Sequence, residues 1–170
     1  MNDANKPTNS SVSIRPARPG DEELLLALID ELAHYEKAPE QAIATPELLR
    51  QALFDPSPTA EAVIAEWQGD AAGFALFFHN FSTWLGKPGL YLEDLFVREP
   101  CRGHGIGKAL LLHLAGIARE RGCGRMEWSV LDWNTPAIDF YNGLGARPMA
   151  GWTTFRLDAE ALDALDSADR

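Results

Sequence analysis

The most constraining feature of this sequence is a glycine-rich turn that leads from a strand directly into a helix. The letters Arg102-Gly103-His104-Gly105-Ile106-Gly107-Lys108 follow an apolar segment, residues 90–97, and precede a run of helix-forming residues. Glycine permits positive φ angles and a close approach of the main chain, and the first N–H groups of a helix lack internal partners. Because the helix dipole also favours negative charge, the turn predicts a site for a phosphorylated ligand.

Two common phosphate-binding motifs do not fit this turn. A Walker loop needs glycine five residues before the Gly-Lys pair and Ser or Thr after it, but these positions hold Arg102 and Ala109. The dinucleotide fingerprint needs a last spacing of two residues, whereas the letters read Gly103-x-Gly105-x-Gly107. Two interpretations of the turn stay open: an anion-binding site of another kind, and an ordinary tight turn that leads into a helix.

Composition and charge narrow the class of protein. A chain of 170 residues with 46% hydrophobic content suits one globular domain with one core. The 25 acidic residues outnumber the 15 basic ones, which gives a net charge of -10. This charge argues against non-specific nucleic-acid binding and attracts cationic substrates.

The cysteines and the N-terminal residues indicate the cellular compartment in which the protein is expected. Cys101 and Cys123 lack a C-x-x-C pair and any metal-ligand spacing to the four histidines, so we expect neither a disulfide framework nor a metal. Residues 1–11 are polar, without the pattern of a secretory signal, and no apolar run approaches the length of a membrane span. The sequence therefore predicts a cytoplasmic protein that does not associate with membranes.

Hydrophobic periodicity and breakers predict the order of elements. Helices are expected over residues 21–35, 46–53, 105–121 and 135–143. Strands are expected over residues 12–15, 62–67, 73–79, 91–97, 126–131 and 151–157. The order strand, helix, strand around the glycine turn indicates a parallel pair of strands with a helical crossover.

Four segments together resemble the GNAT N-acetyltransferase superfamily. They are Ile14-Arg15-Pro16-Ala17, Tyr91-Leu92-Glu93-Asp94-Leu95-Phe96-Val97, the pattern Arg-x-x-Gly-x-Gly from Arg102 to Gly107, and Trp133-Asn134 with Phe140-Tyr141. The likeness spans residues 14–158 and is to the diamine branch, the spermidine/spermine N1-acetyltransferase type.

The resemblance implies an α/β (α+β) fold with a central mixed sheet. The sheet is mostly antiparallel, is splayed between its fourth and fifth strands and is flanked by helices. We expect a flexible segment at residues 1–11, a single acetyltransferase domain at residues 12–158 and a C-terminal tail at residues 159–170.

The resemblance also implies acetyl-CoA as the co-substrate. Main-chain groups of Leu95, Phe96 and Val97 would then pair with its pantetheine arm. The turn would hold its pyrophosphate through Arg102, Gly103, His104, Gly105, Ile106, Gly107 and Lys108. For Lys108, a solvent-exposed helix lysine with no part in binding is an equal alternative. Asn134 is expected to cap the following helix and also to reach the coenzyme.

Tyr141 matches the family tyrosine that lies near the coenzyme sulfur. A phenol with an ordinary pKa near 10 keeps its proton at neutral pH and can donate it to a leaving thiolate, which is a general-acid role. An aromatic core residue on an amphipathic helix is the alternative.

Glu93 and Asp94 lie inside an otherwise apolar strand, where an unpaired buried carboxylate is costly. A regular strand would send them to opposite faces, whereas a bulge could direct both towards a cleft. Binding of a cationic amine would explain the presence of both Glu93 and Asp94. The resemblance makes Glu93 the residue that binds the amine and starts its deprotonation through water. A strand-end acid paired with an arginine is the alternative.

Further substrate contacts are implied at four positions. Tyr35 and Glu36 correspond to a contact of the polyamine enzymes, although without the family they are only a helix end. Glu127 replaces a histidine of those enzymes and could add negative charge. Trp152 matches a family tryptophan but lacks the acidic residues before it, which puts spermine in doubt and leaves a shorter diamine, thialysine or lysine open.

The function expected is direct acetyl transfer from acetyl-CoA to a primary amine of a small cationic substrate in a ternary complex. A covalent intermediate on Cys101 is not expected, because no partner base lies near it in sequence. Acetylation of a protein or other amine and a non-catalytic acyl-CoA-binding module are the alternatives. The resembling enzymes also imply a homodimer.

Overall fold

Five strands and five α-helices form the regular structure of residues 12–168, the part of the chain that this computed structural model describes. In chain order the elements are β1 (Ser13–Pro16), α1 (Glu22–Tyr35), α2 (Pro46–Phe54), β2 (Glu61–Trp67), β3 (Asp70–Ser82), β4 (Lys87–Val97), α3 (Ile106–Glu120), β5 (Arg125–Trp128), α4 (Thr135–Gly143) and α5 (Ala159–Ala168). Short 3-10 helices occupy Pro39–Gln41 and Glu99–Cys101. The expected flexible segment at residues 1–11 lies outside the described residues.

The chain divides into two compact units after Ser129. The first unit contains the five strands of the sheet together with α1, α2 and α3. The second unit begins at Val130 and contains α4 and α5.

The sheet has the strand order β1-β2-β3-β4-β5. The first three pairings are antiparallel, while β4 and β5, which α3 connects, run parallel. Strand β4 pairs with β3 as far as Val97 but with β5 only over residues 89–92. Beyond Leu92, one edge of β4 therefore has no strand beside it within residues 12–168. The predicted mixed, mostly antiparallel sheet with a splay at this point is confirmed.

Helix α1 packs on the sheet because its leucines recur at helical spacing. Leu25, Leu28 and Leu32 are buried in one cluster with Ile64 of β2 and Phe74 of β3. Burying each such side chain contributes roughly 1.5–3 kcal/mol. This packing fixes the C-terminal end of α1, where Tyr35 and Glu36 lie.

Helix α3 begins at the glycine turn and is held by a second apolar stripe. Ile106, Leu110 and Leu114 are almost completely buried, as their spacing of four residues predicts for one helix face. The first residue after the turn is thus anchored in the core, and this anchoring fixes where the N-terminus of α3 lies.

The predicted strand at residues 151–157 is wrong. This segment has no regular structure, and Trp152, Phe155 and Leu157 are exposed. Apolar residues in such a segment form a strand only where a neighbouring strand supplies ladder hydrogen bonds, and within residues 130–168 none does. Elsewhere β3 and β4 extend further than predicted, and β5 already ends at Trp128.

No helix in residues 12–168 combines the length and the hydropathy that crossing a membrane requires.

Replacement of Gly73 tests the close contact between β3 and β4. A Cβ atom at Gly73 would collide with the main-chain carbonyl oxygen of Phe96. We expect Gly73→Ala to lower the free energy of unfolding by about 2 kcal/mol or more, because the strands must separate to admit it. Urea unfolding followed by circular dichroism measures this.

Gly116 provides the matched control. It lies inside α3, and a Cβ there would meet no heavy atom within 4 Å. Gly116→Ala should stabilise the protein by about 0.5–1 kcal/mol, because alanine favours the helix. Equal effects of the two substitutions would contradict the β3–β4 contact.

Candidate functional site

The glycine turn adopts the backbone that its sequence predicts. Gly103 and Gly105 have φ angles of 80° and 79°, in the left-handed region that favours glycine. Gly105 is the N-cap of α3, and within the described chain no side chain caps the helix there. The main-chain N–H groups of the first helical turn are therefore available to an anion.

Arg102 ties the turn to its surroundings. Its Nε donates a hydrogen bond to the carbonyl oxygen of Val97 at 3.0 Å. Its guanidinium lies 4.5 Å from the ring centroid of Tyr35, a cation–π distance. Lys108, in contrast, is exposed in the first turn of α3. Arg102 thus connects the turn to the end of β4 and to the end of α1.

The open edge of β4 lies next to the turn in the chain. Leu95, Phe96 and Val97 pair with β3 on one side, opposite Ala75, Phe74 and Gly73. On the other side β5 has already ended. An extended ligand can add to such an edge through main-chain hydrogen bonds, as an added strand would.

A β-bulge places the two acids of β4. Leu92 pairs with Phe77 and Asp94 with Leu76, so Glu93 is the extra residue between them. Glu93 is exposed and Asp94 is half-buried. The bulge was one of two geometries that the sequence left open, and it disrupts the alternation that would otherwise send the two carboxylates to opposite faces.

A third acid joins this pair from α1. Glu36 is the C-cap residue of the helix, and its N–H donates to the carbonyl oxygen of Leu32 at 2.9 Å. Burial raises the pKa of Glu36 above its ordinary value. Burial, then the negative charges of Glu93 and Glu36, raise the pKa of Asp94 to about 6.

The acid cluster of Glu36, Glu93 and Asp94 carries uncompensated charge. Within the described part of the chain, no lysine, arginine or histidine forms an ion pair with any of the three. Mutual repulsion and burial therefore oppose ionisation of Asp94, and a bound cation would relieve both. Tyr35, beside Glu36 in the chain, is half-buried.

Glu127 has a partner that the sequence analysis missed. Its Oε2 lies 2.8 Å from Nε of Arg125 and accepts a hydrogen bond from Nδ2 of Asn80 at 3.4 Å. Arg125 thus offsets the negative charge of Glu127. The sequence contains a signal for this pair, because Arg125 and Glu127 are two residues apart, and residues two apart on a strand share one face.

Three predicted residues belong to the second unit. Oδ1 of Asn134 accepts a hydrogen bond from the N–H of Ala137 at 3.4 Å, so the predicted cap of α4 is present. Tyr141 is half-buried on α4, with its ring centroid 5.3 Å from that of Phe140. Trp152 lies beyond α4 and is 71% exposed.

Comparison with known proteins identifies a family and relatives that this chain resembles. The acetyltransferase (GNAT) family matches residues 25–146. The thialysine N-epsilon-acetyltransferase of Sus scrofa is 38% identical over 167 residues, which cover 92% of this chain and 98% of that protein. The L-ornithine N5-acetyltransferase NATA1 of Arabidopsis thaliana is 50% identical over 95 residues, 56% of this chain and 42% of that protein.

A solved structure shares the fold. The integron cassette protein VCH_CASS6 from the mobile metagenome of V. cholerae superposes with a TM-score of 0.77 and 28% identity, covering 92% of this chain and 98% of that one. The family match includes the bulge, the open strand edge, the glycine turn and Tyr141. The resemblance inferred from the sequence is confirmed. The chain belongs to the GNAT acetyltransferase family and is an acetyl-CoA-dependent amine N-acetyltransferase.

Proposed function

We propose that this protein acetylates the terminal side-chain amine of a small cationic amino acid of the thialysine or ornithine type. The observation that carries the proposal is the acid cluster of Glu36, Glu93 and Asp94, which lacks a counter-ion within the described residues. An alkylammonium group supplies the missing positive charge. Relatives named for thialysine and ornithine support a substrate that carries such an amine.

The acids have two tasks in this proposal. The amine arrives protonated, because its pKa lies near 10, and Asp94 and Glu36 hold the ammonium group. Glu93 is exposed, so it accepts the proton through a water molecule. The neutral nitrogen can then attack the thioester.

The turn and the open edge of β4 hold the other substrate. We propose that Leu95, Phe96 and Val97 offer main-chain groups to the pantetheine arm of acetyl-CoA. First-turn N–H groups between Ile106 and Lys108 take the pyrophosphate, and Lys108 adds positive charge. Among residues 12–168, no strand covers this edge and no side chain caps the N-terminus of α3, and both features support this arrangement.

Tyr141 completes the proposed reaction. The C–N bond forms as the C–S bond breaks, and the phenol of Tyr141 gives its proton to the departing sulfur. The attacking nitrogen loses one of its two remaining protons as it becomes the amide, and this proton restores the phenol. Direct transfer needs no acyl-enzyme, so Cys101 has no covalent role. Asn134 and Trp152 stay proposed contacts of the coenzyme and the amine, respectively.

Two broader features belong to the same proposal. Cys101 and Cys123 are both free thiols, which supports a cytoplasmic location. A homodimer is proposed from the resemblance in sequence alone, and light scattering on the purified protein tests it.

The function is tested by following CoA thiol release with acetyl-CoA and separate amines. We expect the highest kcat/KM with thialysine or ornithine, lower values with lysine, putrescine and spermidine, and the lowest with spermine. Release without an added amine serves as the background. Preferential acetylation of intact proteins, or acetyl-CoA binding without release on any amine, would contradict the proposal and favour a protein acetyltransferase or a binding module.

Replacement of Tyr141 tests the general acid. Tyr141→Phe removes only the hydroxyl, so we expect kcat to fall by on the order of 10²-fold while the circular dichroism spectrum is unchanged. The matched control is Tyr91→Phe, since the Tyr91 hydroxyl contacts Ser129 Oγ at 3.1 Å in the first unit. A kcat that falls equally in both variants would refute a specific role for Tyr141.

Replacement of Asp94 separates binding from stability. Its folded-state pKa of about 6 lies above the ordinary value, so the folded protein binds a proton more readily than the unfolded chain does. The ionised carboxylate therefore costs stability at pH 8, and this cost fades as the pH falls through 6 towards 4. Asp94→Asn should raise the free energy of unfolding at pH 8 by about 2 kcal/mol and converge with wild type near pH 4.

The same variant should bind the amine more weakly. We expect its KM for the amine to rise at least about tenfold, because one charged partner of the ammonium is lost. Glu99→Gln, which removes an exposed acid just after β4, is the control and should change neither property. An Asp94→Asn protein less stable than wild type at pH 8 would disprove the proposed repulsion.

A further inference from the structure

His104 lies at the centre of the glycine turn and has little support from its own backbone. Glycines in left-handed conformations flank it on both sides, and a Cβ on either would meet no atom within 4 Å. Glycine loses more conformational freedom on ordering than any other residue. The geometry of this turn therefore depends on the contacts of the side chains that it carries.

The side chain of His104 makes two such contacts. Its ring stacks on that of Trp67, with a centroid separation of 4.1 Å and an interplanar angle of 34°. Its Nδ1 lies 3.3 Å from the carbonyl oxygen of Cys101. Because a carbonyl can only accept, Nδ1 carries the hydrogen in this contact.

Trp67 is a firm support for the stack. It is half-buried at the last position of β2 and pairs with Asp70 of β3 across a two-residue turn. That turn is held by positive φ angles at Gln68 and Gly69, the arrangement of a tight hairpin. Residues 62–65 of the same strand are buried in the core.

Two residues of the glycine turn, Arg102 and His104, thus each contact an aromatic ring of another element. Arg102 lies over Tyr35 of α1, and His104 lies against Trp67 of β2. Both side chains are used for support, while the N–H groups at the start of α3 remain open to a ligand. The turn is consequently ordered before the ligand arrives.

We infer that Trp67 is a positioning residue for acetyl-CoA, acting through His104 to hold the phosphate-binding turn in its binding conformation. This inference rests on the proposed function, in which that turn takes the pyrophosphate. Trp67 belongs to none of the sites described above, and neither the glycine motif nor the acids indicated it. An aromatic stack of this kind accounts for about a tenfold change in an equilibrium constant.

Calorimetric titration with CoA and with acetyl-CoA measures the effect. Trp67→Ala and His104→Ala should each weaken binding about tenfold, and the double variant should bind no more weakly than either single variant. Trp67→Phe keeps a stack and should bind within about twofold of wild type. In Trp67→Ala, the KM for acetyl-CoA should follow the dissociation constant, while kcat and the KM for the amine stay unchanged.

Two further variants test whether the loss of CoA binding is specific to the Trp67–His104 contact. Trp84→Ala removes a tryptophan that is 88% exposed on the turn between β3 and β4, and it should bind CoA as wild type does. Gly105→Ala forces a side chain into the left-handed position and should abolish most binding. His104 is exposed, so His104→Ala keeps the test valid if Trp67→Ala proves unstable.

The outcomes are distinguishable. Wild-type binding that Gly105→Ala reduces, with His104→Ala and Trp67→Ala unaffected, overturns the role of Trp67 and leaves the proposed function standing. Strictly additive losses in the double variant overturn action through His104. Failure of the wild type to bind CoA, or indifference of binding to Gly105→Ala, overturns both the proposed pyrophosphate site and this inference.

Discussion

The unequal pairing of β4 is the constraint on which the rest of this structure depends. On one side β4 is bonded to β3 to its last residue, while on the other β5 ends opposite Leu92. The first pairing makes β4 rigid, and the second leaves the last part of it open. One strand therefore provides a free edge, a bulge with two acids and the entry to the glycine turn. Its fixed position in the sheet keeps these three features in register.

The acid cluster shows how such a site conflicts with stability. Glu36, Glu93 and Asp94 come from two elements that the core holds firmly, so they cannot move apart to relieve their repulsion. An apolar or neutral residue in place of Asp94 would suit the folded protein better at neutral pH. A chain keeps such a cost where a ligand removes it, and a cationic amine does so directly.

The sequence predicted those features whose causes are local. The spacing of leucines located α1 and α3, and the glycines located the turn, because periodicity and positive φ are properties of short segments. The bulge at Glu93 could be given only as one of two options, because its position depends on the register with β3. Contacts between distant segments, such as Trp67 with His104, have no local signal. The strand expected at residues 151–157 failed for the related reason that a strand requires a neighbour.

The two proposed ligands carry opposite charges, yet both must bind one acidic chain with a net charge of -10. Cationic side chains supply only part of the attraction for the anionic ligand. In the proposal Lys108 adds one charge, whereas the guanidinium of Arg102 is directed to Tyr35 and to the carbonyl oxygen of Val97. Main-chain N–H groups and the dipole of α3 provide positive potential that adds no net charge and acts within the first turn. The acids of β4 can therefore hold a cation close by without losing their charge to neighbouring lysines. A firmly supported turn is what makes this short-range attraction effective, because a dipole binds an anion only when its N–H groups point to one place.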